Sequence, residues 1–325
     1  MEGWLCEAPT GAAALRWKEW PTPEPTAGEV RVAIRAASLN FPDLLIVENK
    51  YQVKPPVPFV PGSEFSGVVD AVGSGVDNAR PGDPVIVLGS IGGFATHAIV
   101  PADRLISKPA ALSFQDAAAF ALTYGTAHHA LVDRGRLHAG ETVLVLGAAG
   151  GVGTAAIQVA KAIGARVIAG VSSDAKAAFC ASLGADATIC YGHENLRDRI
   201  KALTDGRGID VVYDPAGGDL AEPAFRSLTW RGRFLVIGFT SGSIPSLPLN
   251  LPLLKGADLV GVYWGDFVRR EPARHREALA QLSQWYSEGK IKPALDQVLP
   301  MERLPDAYAR MASRQVCGKV VLVNS

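Results

Sequence analysis

The chain has 325 residues, 32 Lys+Arg against 32 Asp+Glu, and 48% apolar residues. That length exceeds one ordinary hydrophobic core and predicts two domains, while balanced charge excludes a broad basic surface for nucleic acid. No basic leader with an apolar stretch and no bilayer-length apolar run occurs, so a cytoplasmic protein acting on small molecules, without a membrane partner, is expected.

Up to Lys108 the chain reads as short strands over 29–36, 64–72, 84–88 and 93–100, divided by turn signals such as Ser74-Gly75 and Pro81-Gly82-Asp83. The alternation in Val30-Arg31-Val32-Ala33-Ile34-Arg35 suits a sheet with one wet face. Helices are predicted over 114–120 and 125–134, after which strands alternate with helices as far as Trp264.

Within that portion, Glu141-Thr142-Val143-Leu144-Val145-Leu146-Gly147-Ala148-Ala149-Gly150-Gly151-Val152-Gly153 and the apolar-periodic run 155–163 predict strand, glycine turn and helix. Glycines at 150, 151 and 153 let a pyrophosphate approach the backbone, and the amides of the helix N-terminus face it with partial positive charge. Ala148 departs from the usual first glycine. A second strand over 166–171 completes a βαβ unit, which favours a dinucleotide cofactor over a merely tight turn.

No carboxylate ends that second strand. The chain instead reads Val171-Ser172-Ser173-Asp174-Ala175-Lys176, and Tyr191 follows a short strand over 187–190. Ser173 can donate to a 2′-phosphate and Lys176 supplies positive charge, so NADPH is the expected dinucleotide. The same residues also suit plainer work, Ser172 or Ser173 as a helix N-cap and Lys176 as a solvated side chain.

Later strands are predicted over 210–213, 233–237 and 258–263, with Gly217-Gly218 and Gly238 just beyond strand ends, where cofactors bind in such sheets. A helix over 272–288, a segment 291–299, a short helix over 304–313 and a strand over 318–323 follow. The strand content of this last part suggests that it returns to the first module. Cys6, Cys180, Cys190 and Cys317 lack C-x-x-C spacing, and the six histidines (His97, His128, His129, His138, His193, His275) are read as forming no pair at metal-ligand spacing with a cysteine. No metal is therefore expected.

The order of these parts and the strings Asn40-Phe41-Pro42-Asp43, Pro61-Gly62-Ser63-Glu64-Phe65-Ser66-Gly67, Ala148 to Gly153, Tyr213-Asp214-Pro215-Ala216-Gly217-Gly218-Asp219 and Gly232-Arg233-Phe234-Leu235-Val236-Ile237-Gly238 resemble the medium-chain dehydrogenase/reductase superfamily. Within it the chain resembles the zinc-free quinone oxidoreductases related to zeta-crystallin. The resemblance implies an α/β fold: a GroES-like catalytic domain over 1–121, a doubly wound parallel-sheet Rossmann domain over 122–264, and a return segment over 265–325.

In the zinc alcohol dehydrogenases a cysteine would stand at Asn40 and a histidine at Ser63, so the resemblance implies hydride transfer to a quinone or α,β-unsaturated carbonyl without a Lewis acid. It further implies a substrate held between the two domains. Asn40 would donate to the acceptor carbonyl, Tyr51 a hydrogen bond or proton, and Asp43 would orient the loop or carboxamide. Thr126, Ala149, Gly150, Gly151, Val152, Gly153, Ser172, Ser173, Lys176, Tyr191, Gly238 and Phe239 would meet the cofactor. Leu45 stands where some relatives carry a second tyrosine.

Local alternatives remain for Asn40 and Asp43 in a turn, Tyr51 against a core and Thr126 within its helix. A homodimer through the apolar strand near 258–264 is also implied. Two other readings compete. One is an enoyl-thioester reductase, with Arg269, Arg270, Arg274 and Arg276 as a candidate basic patch; the other is a non-catalytic NADPH-binding or structural protein.

Overall fold

Val30, Val32 and Ile34 are buried along the strand Glu29–Leu39, as period-two alternation requires of a half-wet sheet. In the computed structural model, which describes residues 1–89 and 91–324, that strand is central to a seven-stranded sheet. The hydrogen-bonded order runs Leu295–Pro300, Lys319–Val323, Glu29–Leu39, Glu64–Val72, Pro84–Leu88, Leu105–Ser107, and His97–Pro101 also pairs with Glu29–Leu39. The terminal strand joins antiparallel, Val320 opposite Leu39 and Val323 opposite Ala36. One apolar core under this sheet gathers Val32, Phe65, Phe94, Leu304 and Tyr308.

Two local expectations change here. The strand expected over 93–100 is His97–Pro101, because Phe94 and Ala95 instead dock on the N-terminal hairpin: Trp4 N–H donates to Phe94 O at 2.9 Å. That hairpin, Glu2–Leu5 with Arg16–Glu19, escaped sequence reading, since its second strand is largely exposed and carries no apolar alternation.

The second sheet is parallel and six-stranded, in the order Ala187–Cys190, Arg166–Val171, Thr142–Val145, Ile209–Asp214, Leu228–Val236, Asp258–Gly261. Its inner strands are near-continuous apolar runs, as burial on both faces by crossover helices demands; Val143, Leu144, Val145, Val211 and Val212 are fully buried. This is the doubly wound arrangement.

The chain divides into Met1–Leu122 with Leu295–Ser325, and Thr123–Ala294. The return to the first unit thus comes at Leu295, not at the expected residue 265. The physical reason is the helix Pro272–Ser287, which packs within the second unit. His275 meets the rings of Trp264 and Phe267 at 5.6 and 6.3 Å, and Gln281 Oε1 lies 2.6 Å from His128 Nε2.

Candidate functional site

Strand Thr142–Val145 runs into a turn at Gly147, whose φ of +57° lies in the left-handed region. Gly150 then caps the helix Gly151–Ile163. A Cβ added at Gly153 would stand 2.6 Å from Gly147 O and 2.7 Å from Ala148 Cα, so only glycine lets the helix press onto the turn. At Gly150 the same addition meets only Gly147 O, at 3.5 Å, leaving room for a ligand against the backbone. The amides of Gly151, Val152 and Gly153 occupy the first helical turn and have no intrahelical acceptor, which makes a preformed anion site. Ala148 is tolerated because the left-handed residue is Gly147, one place earlier. Ala149 is buried beside it.

Pairing of Cys190 with Val171 brings the tips of the next two strands together. Tyr191 N–H donates to Val171 O at 3.0 Å. Ser173 caps the helix Asp174–Ser182, its Oγ accepting the Lys176 N–H at 3.4 Å, and Lys176 Nζ reaches Ser172 Oγ at 3.5 Å. Capping takes one lone pair and leaves the Ser173 hydroxyl free to donate outward, so the structural and ligand-binding roles coexist. The exposed Asp174 carboxylate lies 3.0 Å from His193 Nε2.

A second loop flanks the glycine turn. Asp214 Oδ1 accepts the N–H groups of Ala216 and Gly217 at 2.8 Å each; burial pushes its carboxyl up, against those two donors. Pro215 and Ala216 lie about 4 Å from where a Gly147 Cβ would stand, and the half-exposed Phe239 ring rests on Gly217, while Gly238 sits against Pro215 O. Thr126 stands on a separate element, buried in the helix Ala121–His128.

In the first unit, Asn40 precedes the helix Phe41–Val47 and its N–H donates to Asp43 Oδ2 at 2.8 Å. Its side-chain amide is fixed from both ends: Nδ2 donates to Glu64 Oε2 at 3.1 Å, and Oδ1 accepts from Lys319 Nζ. Lys319 also donates to Leu39 O at 3.1 Å and lies 3.6 Å from Glu64. Glu64 further accepts from Ser38 Oγ at 3.0 Å and from Leu122 N–H at 2.8 Å. Burial raises the Asp43 carboxyl to about 6, opposed by the Asn40 N–H, Ser63 and the Lys319 charge. Burial lowers Lys319, with Glu64 and Asp43 pulling the other way. Tyr51 packs, partly buried, against the apolar core of this unit.

Glu64 and Lys319 escaped the sequence reading, although each is a buried charge opening a largely apolar strand, a signal in itself. The reading of the histidines needs correction: Cys190-Tyr191-Gly192-His193 is a C-x-x-H spacing, and Asp174, Cys190 and His193 place their ligand atoms within 4.8 Å of one another. The arginine patch is largely neutralised, because Arg269 and Arg270 bind Asp266, and Arg274 binds Glu271 and Asp133.

Residues 26–110 match the alcohol dehydrogenase GroES-like domain and residues 151–284 the zinc-binding dehydrogenase domain. Quinone oxidoreductase-like protein 2 homolog of Nematostella vectensis is 39% identical over 90% of this chain and 81% of its own length. The chain belongs to the zinc-free quinone oxidoreductase family of the medium-chain dehydrogenase/reductases. The human synaptic vesicle membrane protein VAT-1 homolog is 33% identical over 93% of this chain and 80% of its own length. A crystal structure of Escherichia coli quinone oxidoreductase complexed with NADPH superposes with a TM-score of 0.91 at 29% identity, covering all of both chains. Among the described residues of this family member, no helix is long and apolar enough to cross a membrane.

Proposed function

We propose that this chain is an NADPH-dependent reductase of quinones or α,β-unsaturated carbonyl compounds that needs no metal at Asn40 and Ser63. The observation that carries the reading is the open glycine turn, joined to the strand-tip cluster of Ser172, Ser173, Lys176 and Tyr191. The first-turn amides of Gly151, Val152 and Gly153 would hold the pyrophosphate, and Lys176 with the two serine hydroxyls the 2′-phosphate. Gly238, Phe239 and Thr126 would border the remainder of the dinucleotide.

When bound, the reduced nicotinamide supplies a hydride. The chain's own task at the acceptor is to stabilise charge arriving on oxygen. Asn40 suits this because Lys319 and Glu64 fix its amide, and of the two Nδ2 hydrogens one goes to Glu64 Oε2 at 3.1 Å while the other makes only a long 3.5 Å contact with Ser38 O, which an acceptor carbonyl would replace. The ammonium of Lys319 already occupies that neighbourhood, and an amide with a hydroxyl is a poor donor set for zinc, so a divalent cation is disfavoured there. Asp43 holds the start of the Asn40 helix, and Tyr51 is assigned the proton or hydrogen bond to the reduced product.

The test is an acceptor panel containing 1,4-benzoquinone and an enone, followed by NADPH absorbance and repeated with NADH and after chelation. Turnover with an unchanged kcat after chelation is expected. Lys176→Ala should raise the KM for NADPH roughly tenfold and leave NADH unchanged, a loss of about 1.4 kcal/mol for one partly exposed phosphate contact. Tight NADPH binding without turnover on any acceptor would instead identify a non-catalytic binding protein.

We also infer a homodimer. Strand Asp258–Gly261 is the free edge of the parallel sheet, and Leu259, Trp230 and Tyr263 around it are exposed. The segment 245–254 does not settle its own apolar side chains, since Leu249, Leu253 and Leu254 are exposed as well. Leu259→Lys should shift sedimentation from dimer to monomer.

A further inference from the structure

Cys190 ends one strand of the parallel sheet, His193 lies one turn beyond it, and Asp174 begins the helix that follows the neighbouring strand. Their three ligand atoms, Sγ, an imidazole nitrogen and a carboxylate oxygen, all lie within 4.8 Å of one another. His193 and Asp174 already meet at 3.0 Å, with 59% and 83% of their side chains exposed, so small rotations suffice to close the set around one ion. The peptide between them is fixed: Glu194 N–H and His193 N–H both donate to Cys190 O, at 2.9 and 3.1 Å, and Glu194 Oε2 accepts the Cys190 N–H at 2.7 Å. Glu194 also binds Arg199 at 2.7 Å, which keeps its carboxylate engaged away from the ion.

We propose that Asp174, Cys190 and His193 form a three-ligand site for a zinc-class divalent cation, with the fourth position left to water. One thiolate, one imidazole and one carboxylate are the donor mixture that zinc takes in tetrahedral sites with an open position, whereas magnesium and calcium demand oxygen ligands alone. Binding releases the Cys190 thiol proton, and the ion's two positive charges are then matched by the thiolate and the Asp174 carboxylate.

The consequence lies next door. Asp174 adjoins Ser173, and Tyr191 lies between Cys190 and His193, so the ion neutralises the exposed carboxylate next to Ser173, while Glu194 is already paired with Arg199. An occupied site removes repulsion toward a 2′-phosphate and favours NADPH over NADH, a step that rests on the NADPH reading above. The metal site itself does not rest on it.

The experiment titrates the full-length protein, stripped with chelator and reduced, with Co²⁺ and then Zn²⁺. One equivalent of Co²⁺ should give thiolate-to-metal charge-transfer absorption, displaced by Zn²⁺. Cys190→Ser should abolish that absorption, and His193→Ala and Asp174→Ala should each weaken Co²⁺ binding by at least roughly tenfold. His193 and Asp174 are exposed, so their replacement leaves the fold intact and keeps the test decisive. Absence of the absorption in the parent protein, or its persistence in Cys190→Ser, overturns the site. These readouts use no cofactor and are separate from the NADPH assignment. For the coupling, Zn²⁺ should lower the NADPH KM several-fold in the parent and not in His193→Ala; an unchanged KM in a protein whose NADPH preference still responds to Lys176→Ala overturns the coupling alone.

Discussion

In the first unit the buried ionisable groups face one another: Lys319 binds Asn40 and lies 3.6 Å from Glu64, and Asp43 lies within the same cluster. The second unit buries His275 against the rings of Trp264 and Phe267, and neither of its ring nitrogens has a hydrogen-bond partner. Ser172, Ser173 and Lys176, the groups proposed for the 2′-phosphate, are instead partly or fully exposed. The difference teaches that charge does separate work in the two units. In one, Lys319 is paired with buried acids; in the other, Lys176 lies near the surface, while the interior contains an imidazole kept neutral and the Asp214 carboxylate held by backbone amides.

The comparison breaks most sharply at Lys319. Lys319→Met leaves Glu64 and Asp43 buried without their cation and should cost about 3–5 kcal/mol in urea unfolding of the first unit. Glu64→Gln added to Lys319→Met should recover part of that loss, since no unpaired charge remains at position 64. An equal cost for the single and double variants would show that Lys319 contributes through packing alone.

The opposite character of the two interiors should also appear as opposite pH slopes. Asp43 has a folded pKa of about 6, above its ordinary value of 3.8. Its contribution to stability is full below pH 4 and is lost as pH rises through 6, about 3 kcal/mol in all. His275 is lowered from 6.5 to about 4, by burial first and by Arg276 second. Its contribution is full above pH 6.5 and is lost as pH falls through 4, again by about 3 kcal/mol. Urea midpoints at pH 4 and 7 check both. The advantage of the parent protein over Asp43→Asn should shrink with rising pH, and its advantage over His275→Phe should grow.

These interiors also show what could be read before folding. The parallel sheet was legible because its strands are apolar throughout and its glycines fall at the turn, so local sequence and tertiary role agree at Val143, Gly150 and Gly153. That Ser172, Ser173, Lys176 and Tyr191 meet at neighbouring strand tips was legible because strand ends in a βαβ unit converge by topology. Lys319 was not, since 279 positions separate it from Asn40 and only antiparallel pairing across the first sheet brings them together. The crossing point at Leu295 was equally hidden, because helix Pro272–Ser287 is amphipathic and its pattern does not say which unit it covers. Cys190-x-x-His193 was present as a spacing, and its significance rests on Asp174 arriving from the adjacent strand.

A smaller effect should separate the glycine turn from both interiors. Gly153→Ala places a methyl 2.6 Å from a backbone oxygen, which has no side chain to yield, and overpacking of this kind costs about 1–3 kcal/mol. Gly150→Ala meets only one atom at 3.5 Å and should leave stability nearly unchanged while weakening dinucleotide binding. Differential scanning fluorimetry with and without NADPH distinguishes the two; equal effects on the unliganded protein would remove the argument that Gly150 faces a ligand.

Ser173 yields the smallest change and the finest division between fold and ligand. Its cap on the helix Asp174–Ser182 is long, at 3.4 Å, so Ser173→Ala should cost only about 0.5–1 kcal/mol, seen as faster amide exchange in that helix's first turn. Glycine at an N-cap loses only a few tenths of a kcal/mol relative to serine, because the unblocked backbone amides are solvated. Ser173→Gly should therefore restore most of the helix protection that Ser173→Ala removes. If the hydroxyl also meets a 2′-phosphate, glycine cannot restore that contact, and both variants should bind NADPH several-fold more weakly while binding NADH as before. Recovery of NADPH affinity in Ser173→Gly would mean that Ser173 serves the helix alone, and the phosphate contacts would then fall to Lys176, Ser172 and Tyr191.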